Sequence, residues 1–493
     1  MFESLKKKTP TWENSLLLLY LAGCTMLLYL AFSQWAYDDP FITYRYASNL
    51  RQGLGFVYNA GERVLSTTTP GFALLLAGLS TLWGDIPHLA NLVGVASMAA
   101  GGLGFWYLGR SWKLPWLSRT GLLLYPTFPL LVNSLGSETP LYLALGIWTF
   151  TQYHRRQYSW AVLLAALTTL VRTDGILIPL LLLVDYLVRN RKRLGQPVFW
   201  QEQPWLGVGL ALVLLLGWHG FAWLYFGAPF PVTLAAKQQQ GAMLISTSFS
   251  AGFIRQVGWL SQHWHYWLET ALVGVGAWFT FRKFPQAWAF LSWPVLYFLA
   301  YSALGVSSYP WYYVPLVPGW VLAVGLGLAW FTLSPFWQST KLRHHWKPWI
   351  FGVLLAGLLF GQFVHLRARH QNPDLRYPVY RAAGEWIAEN TPEDARVGAL
   401  EVGILGFYAG RPMIDFAGLI QPAVAEQLTV DATYDDAALW AVETYQPELL
   451  VLYAHSFPTL RATYLVESCE LTQVFEAEQY HFVGDLEVYT CQP

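Results

Sequence analysis

Residues 15–39 read SLLLLYLAGCTMLLYLAFSQWAYDD, an apolar run that ends in two adjacent carboxylates. The run from Ser15 to Gln34 is long enough to cross a bilayer, which takes about 20 predominantly apolar residues. Three lysines, Lys6 to Lys8, precede it, and an excess of basic residues marks the cytoplasmic side of a membrane helix. We therefore predict that Asp38 and Asp39 leave the lipid on the far, extracytoplasmic side.

The carboxylate pair opens a polar stretch, residues 38–64, that a simple membrane anchor does not require: DDPFITYRYASNLRQGLGFVYNAGERV. Two interpretations are open. One is a solvated helix cap before Pro40. The other is a catalytic base that faces a membrane-bound substrate, since ionisable groups at a membrane are costly and usually functional.

The composition is that of a polytopic membrane protein: of 493 residues, 55% are hydrophobic and only 12% are charged, with a mean hydropathy of +0.33. The net charge of +0 gives no indication of a nucleic-acid partner. The first apolar segment is too long for the apolar region of a signal peptide and has no clear cleavage site, so no removable signal is predicted. Three cysteines do not form a metal site by themselves, and a disulfide between Cys469 and Cys491 is left open.

Apolar segments recur through the first three quarters of the chain, and they predict a mainly α polytopic bundle of about 11 transmembrane helices. The predicted spans are 15–35, 86–108, 114–133, 139–153, 158–172, 174–188, 205–226, 258–281, 286–304, 311–333 and 348–366. The segment Thr69 to Gly84 is interpreted as a juxtamembrane or re-entrant helix of the first outer loop, because a full span there would invert every later loop.

Basic residues then cluster in alternate loops, which the positive-inside rule assigns to the cytoplasm. These clusters are Arg110/Lys113/Arg119, His154 to Arg156, Arg189 to Arg193, Arg282/Lys283 and Lys341 to Lys347. The outer loops collect the unusual polar residues: Asp38-Asp39, Ser134 to Pro140, Arg172 to Asp174, Phe226 to Lys237 and Ser307 to Tyr313. Polar residues gathered on one face of an apolar bundle predict a site at that membrane surface. The prediction is an integral plasma-membrane protein with its N-terminus in the cytoplasm and its C-terminal domain outside.

The composition changes after the last apolar segment, so we predict two domains. Residues 1–366 form a transmembrane catalytic domain with its first outer loop at 36–85, and residues 367–493 form a soluble extracytoplasmic α/β domain. Predicted helices cover Val379 to Glu389, Asp435 to Thr444 and His455 to Tyr464, and predicted strands cover Val397 to Leu400, Met413 to Phe416, Leu449 to Tyr453, Leu471 to Phe475 and Leu486 to Thr490. No glycine-rich phosphate loop follows any of these strands, so no nucleotide site is predicted.

Five motifs resemble those of GT-C membrane glycosyltransferases, in the branch that contains arabinofuranosyltransferases and mannosyltransferases, and together they cover most of the chain. The motifs are Asp38-Asp39-Pro40-Phe41-Ile42-Thr43-x-Arg45-Tyr46-Ala47 with Asn59-x-Gly61-Glu62, Gly136-Ser137-Glu138-Thr139, Phe226-Gly227-Ala228-Pro229-x-Pro231-x-Thr233 with Lys237, Trp386-Ile387-x-Glu389-Asn390-Thr391-Pro392, and Gly403-x-x-Gly406-Phe407-Tyr408-x-Gly410-Arg411-Pro412-x-Ile414-Asp415. The chain departs from the branch at Leu65 to Thr69, a loop that contacts donor or acceptor, and this leaves the acceptor unidentified.

The resemblance implies an inverting transfer of a pentose or hexose. The donor would be a polyprenyl-phosphate-linked sugar, and the acceptor an extracytoplasmic glycan, lipid or protein. It also implies a carboxylate base on the first outer loop, for which Asp38 is favoured, with Asp39 orienting the acceptor or holding Arg45; the two roles are interchangeable at this stage. A partly desolvated aspartate at the lipid boundary is a stronger base.

The leaving phosphate needs a cation, and the candidates are Lys237, Arg172 and Arg45. The alternatives are a solvated loop lysine, an ion pair of Arg172 with Asp174, and a snorkelling arginine. Substrate contacts are predicted at Glu138, Asn59, Glu62, Tyr309, Tyr312, Tyr313 and Glu401. Glu138 could equally be an acid in the first turn of a helix, and the tyrosines an interfacial aromatic belt.

No cofactor is predicted, and the sequence gives no support for a divalent metal, because the spacing of His263 and His265 does not match a helical metal pair. Two other functions compete with the enzyme. A non-catalytic transporter or flippase of lipid-linked sugars would place polar residues on both faces at mid-membrane depth. A receptor with a carbohydrate-binding tail would leave the carboxylate pair and Lys237 without a purpose.

Overall fold

The structure is a computed structural model, and it describes residues 11–333 and 341–492. The lysines at 6–8, on which the predicted cytoplasmic N-terminus depends, lie outside the described residues. The helices that precede the C-terminal sheet are α1 Thr11–Phe32, α2 Asp39–Arg51, α3 Pro70–Ser80, α4 Ile86–Ser111, α5 Pro115–Leu124, α6 Pro129–Val132, α7 Thr139–His154, α8 Tyr158–Val171, α9 Leu177–Asn190, α10 Pro197–Gln201, α11 Trp205–Phe226, α12 Thr233–Ala242, α13 Phe249–Leu260, α14 Trp264–Lys283, α15 Trp288–Leu304, α16 Val317–Leu333 and α17 Lys341–Gln371.

Six segments of the described chain are long and apolar enough to cross a membrane. They are Glu13–Phe32, Ile86–Ser111, Trp205–Phe226, Pro285–Leu304, Pro310–Leu333 and a stretch within Trp346–Asn390. Most of α4 and α16 is buried inside the bundle, whereas α1 and α11 expose most of their apolar surface, as helices that face lipid do.

The other predicted spans are shorter or divided, so the number of crossings stays a prediction. The predicted span 114–133 is interrupted, with α5 ending before Pro126 and α6 beginning at Pro129, because proline removes a backbone donor and breaks a helix. The predicted span 258–281 begins later, at Trp264, after a separate helix, α13.

The segment interpreted as a juxtamembrane helix forms α3, whose 11 residues extend about 16 Å and are too few to cross a bilayer. It packs against α2, α4 and α8. Gly71 allows the close approach to α8, since a side chain at this position would lie 2.9 Å from the carbonyl oxygen of Leu170. Helix α3 therefore packs the first outer loop against the helical bundle.

The C-terminal part, residues 372–492 and called the tail below, is a small α/β unit whose five predicted strands are all confirmed. Its elements are α18 Arg376–Asn390, β1 Val397–Ala399, α19 Ile404–Ala409, β2 Met413–Asp415, α20 Pro422–Ala425, α21 Tyr434–Tyr445, β3 Leu449–Tyr453, α22 Pro458–Leu460, α23 Val466–Ser468, β4 Cys469–Phe475, α24 Ala477–Tyr480 and β5 Leu486–Cys491. The strand order is β2-β1-β3-β5-β4, in which β2, β1 and β3 are parallel and β5 and β4 are antiparallel additions.

Three details of the tail differ from the sequence prediction or complete it. Helix α17 continues to Gln371, past the predicted domain boundary at 366. The predicted helix His455 to Tyr464 is reduced to α22 and one wider helical turn, Arg461–Leu465. Cys469 and Cys491 face each other across β4 and β5 and form a disulfide, which is the pairing that the sequence left open.

We predict that the tail lies outside the cell and that the chain crosses the membrane an odd number of times. In a variant without the free Cys24, an exposed Val483→Cys should react with an impermeant maleimide in intact cells. Lys192→Cys, in a predicted cytoplasmic loop, should react only after lysis. Labelling of Val483→Cys only in lysed cells would overturn this topology.

Candidate active site

A cavity of about 410 Å³ lies among the loops that were predicted to share the outer face. The start of α2 and the loop before α3 form one wall, and the start of α7 and the turn after α8 form another. Helix α12 and the segment before α16 close it. The polar lining residues are Asp39, Thr43, Ser66 to Thr69, Ser137 to Thr139, Arg172 to Asp174, Thr233, Lys237, Tyr301 and Tyr312.

Asp39 and Lys237 face each other across this cavity. Asp39 is the first residue of α2, and its carboxylate Oδ2 lies 4.0 Å from Nζ of Lys237. The two side chains are only 34% and 13% exposed, respectively. An acid and a base thus meet in a partly desolvated place where a substrate has room to enter.

The lysine is held in a position where it stays charged. Its Nζ lies 4.4 Å from the centroid of the Tyr309 ring, a favourable arrangement for a cation over an aromatic face. Burial lowers the pKa of Lys237, but the Asp39 carboxylate and neighbouring tyrosines raise it, and the balance lies above its usual value. The cavity therefore offers a permanent positive charge.

Asp38 points away from the cavity and into the tail. Its two carboxylate oxygens accept backbone N–H bonds from Gly403 (3.0 Å) and Ile404 (2.7 Å), at the start of α19. Burial raises the pKa of the Asp38 carboxyl and the nearby Glu401 carboxylate raises it further, whereas the N–H of Ile404 acts in the opposite direction. The expectation that Asp38 is the base does not fit this placement, because both of its oxygens are engaged and it does not line the cavity.

Arg172 lines the cavity but is fully occupied by protein acceptors. Its guanidinium donates to Asp174 Oδ2 (2.9 Å), Glu138 Oε1 (3.2 Å) and Thr139 Oγ1 (2.9 Å). Its remaining nitrogen donates to the hydroxyls of Tyr301 (2.9 Å) and Tyr297 (3.4 Å). All five N–H groups of an arginine are then used. The ion pair with Asp174 is present, and Arg172 positions Glu138 instead of offering a free phosphate contact.

Four predicted site residues do not line this cavity and instead bind the tail or pair within it. Arg45 is buried and donates to the carbonyl oxygens of Tyr58, Gly406 and Arg411, so it neither meets Asp39 nor reaches a phosphate. Asn59 bonds the amide and the carbonyl of Met413 in the edge strand β2, and also contacts Glu62. Glu401 pairs with Arg376. Arg45 and Asn59 of the first loop thus satisfy backbone groups of the tail, whereas Glu62 and Glu401 are held by the side chains of Asn59 and Arg376.

The aromatic segment before α16 divides into different roles. Tyr312 and Trp311 line the cavity. Tyr309 lies outside the cavity lining and contacts Lys237 through the face of its ring. The same ring stacks on Trp311, with centroids 4.9 Å apart. Tyr313 is buried, its hydroxyl donates to the carbonyl of Phe249 (2.7 Å), and it does not line this cavity.

The motif analysis did not single out Thr43 as a site residue. Its hydroxyl lies 3.3 Å and 3.1 Å from those of Thr67 and Thr69, which together form a ring of three hydroxyls on the cavity wall. The sequence could have predicted this position, because Thr43 follows Asp39 by four residues and such residues lie on the same face of a helix.

Within residues 11–333 and 341–492, no group of three or more His, Cys, Asp or Glu side chains has the arrangement of a metal site. His263, His265 and His365 do contact one another through their rings, with centroids 4.3–6.3 Å apart.

Solved structures show which fold this is. ArnT from Cupriavidus metallidurans matches in the apo state over 98% of this chain and 100% of its own, with 16% identity and a TM-score of 0.64. The same enzyme bound to undecaprenyl phosphate matches over 97% and 98%, with 17% identity and a TM-score of 0.60. The chain has a GT-C fold. The Archaeoglobus fulgidus oligosaccharyltransferase AglB, with an inhibitory peptide and dolichol-phosphate, matches over 93% and 70%, with 11% identity and a TM-score of 0.56.

Sequence comparisons add one match. Residues 366–491 match the model of a family described as a domain of unknown function, DUF8728. No curated protein matches the sequence. The tail thus matches a described domain family, and the whole chain shares its fold with the two solved proteins named above.

We predict that the contact between Asp38 and α19 stabilises the docked tail. Asp38→Ala would leave two buried N–H groups without an acceptor, at about 1–3 kcal/mol for each unsatisfied group. Gly403→Ala would place a methyl group 2.6 Å from Oδ2 of Asp38 and should act in the same direction. Both variants should unfold at lower temperature in detergent and release the tail sooner in limited proteolysis. The exposed Asp431→Ala is the matched control, and equal stability of all four proteins would contradict the role of Asp38.

Proposed function

We propose that the protein is an inverting glycosyltransferase that moves a sugar from a polyprenyl-phosphate donor to an extracytoplasmic glycan, lipid or protein. The observation that carries the proposal is the pair Asp39 and Lys237, 4.0 Å apart in a cavity at one end of the helical bundle. One group accepts a proton, and the other receives the negative charge of the leaving phosphate.

Asp39 is the base in this proposal. An inverting transfer needs one group that removes the proton from the acceptor hydroxyl as its oxygen attacks the anomeric carbon. The bond between that carbon and the phosphate oxygen breaks, and the polyprenyl phosphate leaves with the bonding electron pair. Asp39 fits because its carboxylate lines the cavity, is partly desolvated and, unlike Asp38, is not bound to the tail.

Lys237 supplies the charge that the leaving group needs. A fixed ammonium in a cavity of low polarity stabilises charge that develops on the phosphate more strongly than water does. Before substrate enters, the ammonium is paired with Asp39. The donor phosphate then replaces part of this interaction and leaves Asp39 available to accept the proton.

The donor class agrees with the apolar side of the cavity. Phe230, Leu234 and Leu304 line it and are also exposed on the outside of the protein, so an alkyl chain can leave the cavity along them. Two of the similar solved structures hold undecaprenyl phosphate and a dolichol-phosphate, which supports a lipid-linked donor here. Which sugar is transferred is open to a turnover assay with synthetic polyprenyl-phosphate pentoses and hexoses.

We expect Asp39→Asn to abolish transfer while the protein folds normally. The amide keeps the shape of the side chain but accepts no proton, and loss of a general base slows a reaction by about 10²–10⁴-fold. Turnover with synthetic donors, measured beside Asp431→Asn as an exposed control, tests this. Wild-type turnover by Asp39→Asn would remove it as the base, and translocation of the intact donor without transfer would favour a flippase.

We expect Lys237→Ala to weaken donor binding and slow the departure of phosphate by roughly 10–150-fold, the effect of losing one charge-assisted contact of about 1.5–3 kcal/mol. Lys237→Arg should retain more activity than Lys237→Ala, because it keeps the charge. Steady-state kinetics against the donor measure the effect, and Lys283→Ala, at the exposed C-terminal end of α14, is the control. A Lys237→Ala enzyme equal to wild type would place the phosphate elsewhere.

A further inference from the structure

A second cavity, of about 440 Å³, lies beside the first. Helix α12 contributes to both, with Lys237 in the first cavity and Gln240 in the second. Tyr309, whose ring supports Lys237, lines the second cavity, and Tyr434 of the tail closes it. Tyr309 and Lys237, which contact each other, therefore lie in the wall between the two cavities.

The walls of the second cavity hold polar atoms that have no partner within the described part of the protein. Gln240 is only 2% exposed; its Nε2 donates to the carbonyl of Ala417 (2.8 Å), but its Oε1 accepts no bond. Ser307, 8% exposed, has an unpartnered Oγ, and Gln256 has an unpartnered Nε2. Buried polar groups are normally hydrogen-bonded, and leaving them unsatisfied is costly.

These atoms are buried just beneath the cavity surface, so a ligand reaches them when their side chains turn towards it, and they then define what it must offer. The Gln240 oxygen needs a donor, the Gln256 nitrogen needs an acceptor, and the Ser307 hydroxyl takes either. Hydroxyl groups satisfy all three, since each one donates and accepts. Trp259, Tyr309 and Tyr434 add aromatic faces, and Arg255 is the single charged residue among those that line the cavity.

We propose that this second cavity binds the saccharide part of the acceptor. The inference rests on the proposed transfer reaction and adds to it the chemical class and the location of the acceptor. The ring of Tyr309 contacts Lys237, which in turn lies 4.0 Å from Asp39, so a saccharide that extends past Tyr309 brings a hydroxyl to the base. The donor's own sugar has the same chemistry, but its phosphate is placed at Lys237, in the first cavity.

Binding is tested without turnover, on the Asp39→Asn protein in detergent. Methyl β-D-glucopyranoside and methyl α-D-mannopyranoside serve as probes in saturation-transfer NMR. We expect ring-proton signals that fall about 10-fold in Gln240→Met and in Ser307→Ala, which each remove one hydrogen-bonding group. Ser246→Trp, which fills the cavity from its rim, should abolish them. The proposal is overturned if the Asp39→Asn protein itself gives no signal, or if the signals persist in all three further variants.

Kinetics decide whether the second cavity binds the saccharide of the acceptor or the sugar of the donor. In the active protein, Gln240→Met and Arg255→Gln should raise the acceptor KM about 10-fold and leave the donor KM and the hydrolysis of donor by water unchanged. Arg282→Gln, an exposed arginine at the far end of α14, is the matched control. A raised donor KM would assign the cavity to the donor's sugar and overturn the inference. No transfer by wild type from any donor would instead count against the proposed function, while the NMR result would still stand.

Discussion

The carboxylate of Asp38, bound by two amide N–H groups at the start of α19, is the interaction on which the candidate site depends. Successive side chains at the start of a helix point about 100° apart. Once Asp38 is fixed against the tail, Asp39 is directed into the cavity towards Lys237. In the proposed reaction the two carboxylates thus serve different purposes: Asp38 orients the start of α2, and Asp39 faces the substrate cavity as the base. A helix N-terminus suits the first purpose, because its unpaired N–H groups and its dipole favour an anion.

The tail is consequently part of the site and not an appendage. The Arg45 guanidinium, buried in α2, donates to two carbonyl oxygens of the tail, and the Asn59 side chain pairs with the edge strand β2. Phe41 packs on Phe407 with ring centroids 5.6 Å apart. Buried charges are stable only when they are hydrogen-bonded, so this network holds the first loop in one position. The cavity wall that α2 forms is therefore held in place by the tail.

Much of this architecture could be predicted from the sequence, because apolar runs, proline positions and alternating strands report local structure directly. The five strands of the tail, the helical nature of each predicted span and the grouping of Asp39, Glu138, Arg172 and Lys237 around one cavity all follow from such patterns. The orientation of individual side chains does not. Asp38 and Asp39 are adjacent and chemically identical, and the partner that distinguishes them lies in α19. Arg45 and Asn59 were misplaced for a related reason: backbone groups of the tail, which carry no side-chain signal in the sequence, satisfy them.

The two hydrogen bonds of Asp38 connect it with Gly403 and Ile404, which follow it in the chain by 365 and 366 positions. Such distant contacts form late in folding, because closing a long loop is unfavourable until the parts at its ends are themselves folded. Strand β5 also lies between β3 and β4, so the sheet that carries α19 is complete only when its final strand has inserted. We therefore expect the Asp39 carboxylate to be aligned late, after the helical bundle and the tail have both formed. If Asp39 is the base, as proposed, a chain without its final strand would hold both Lys237 and Asp39 but would lack the contact that directs Asp39 towards the lysine.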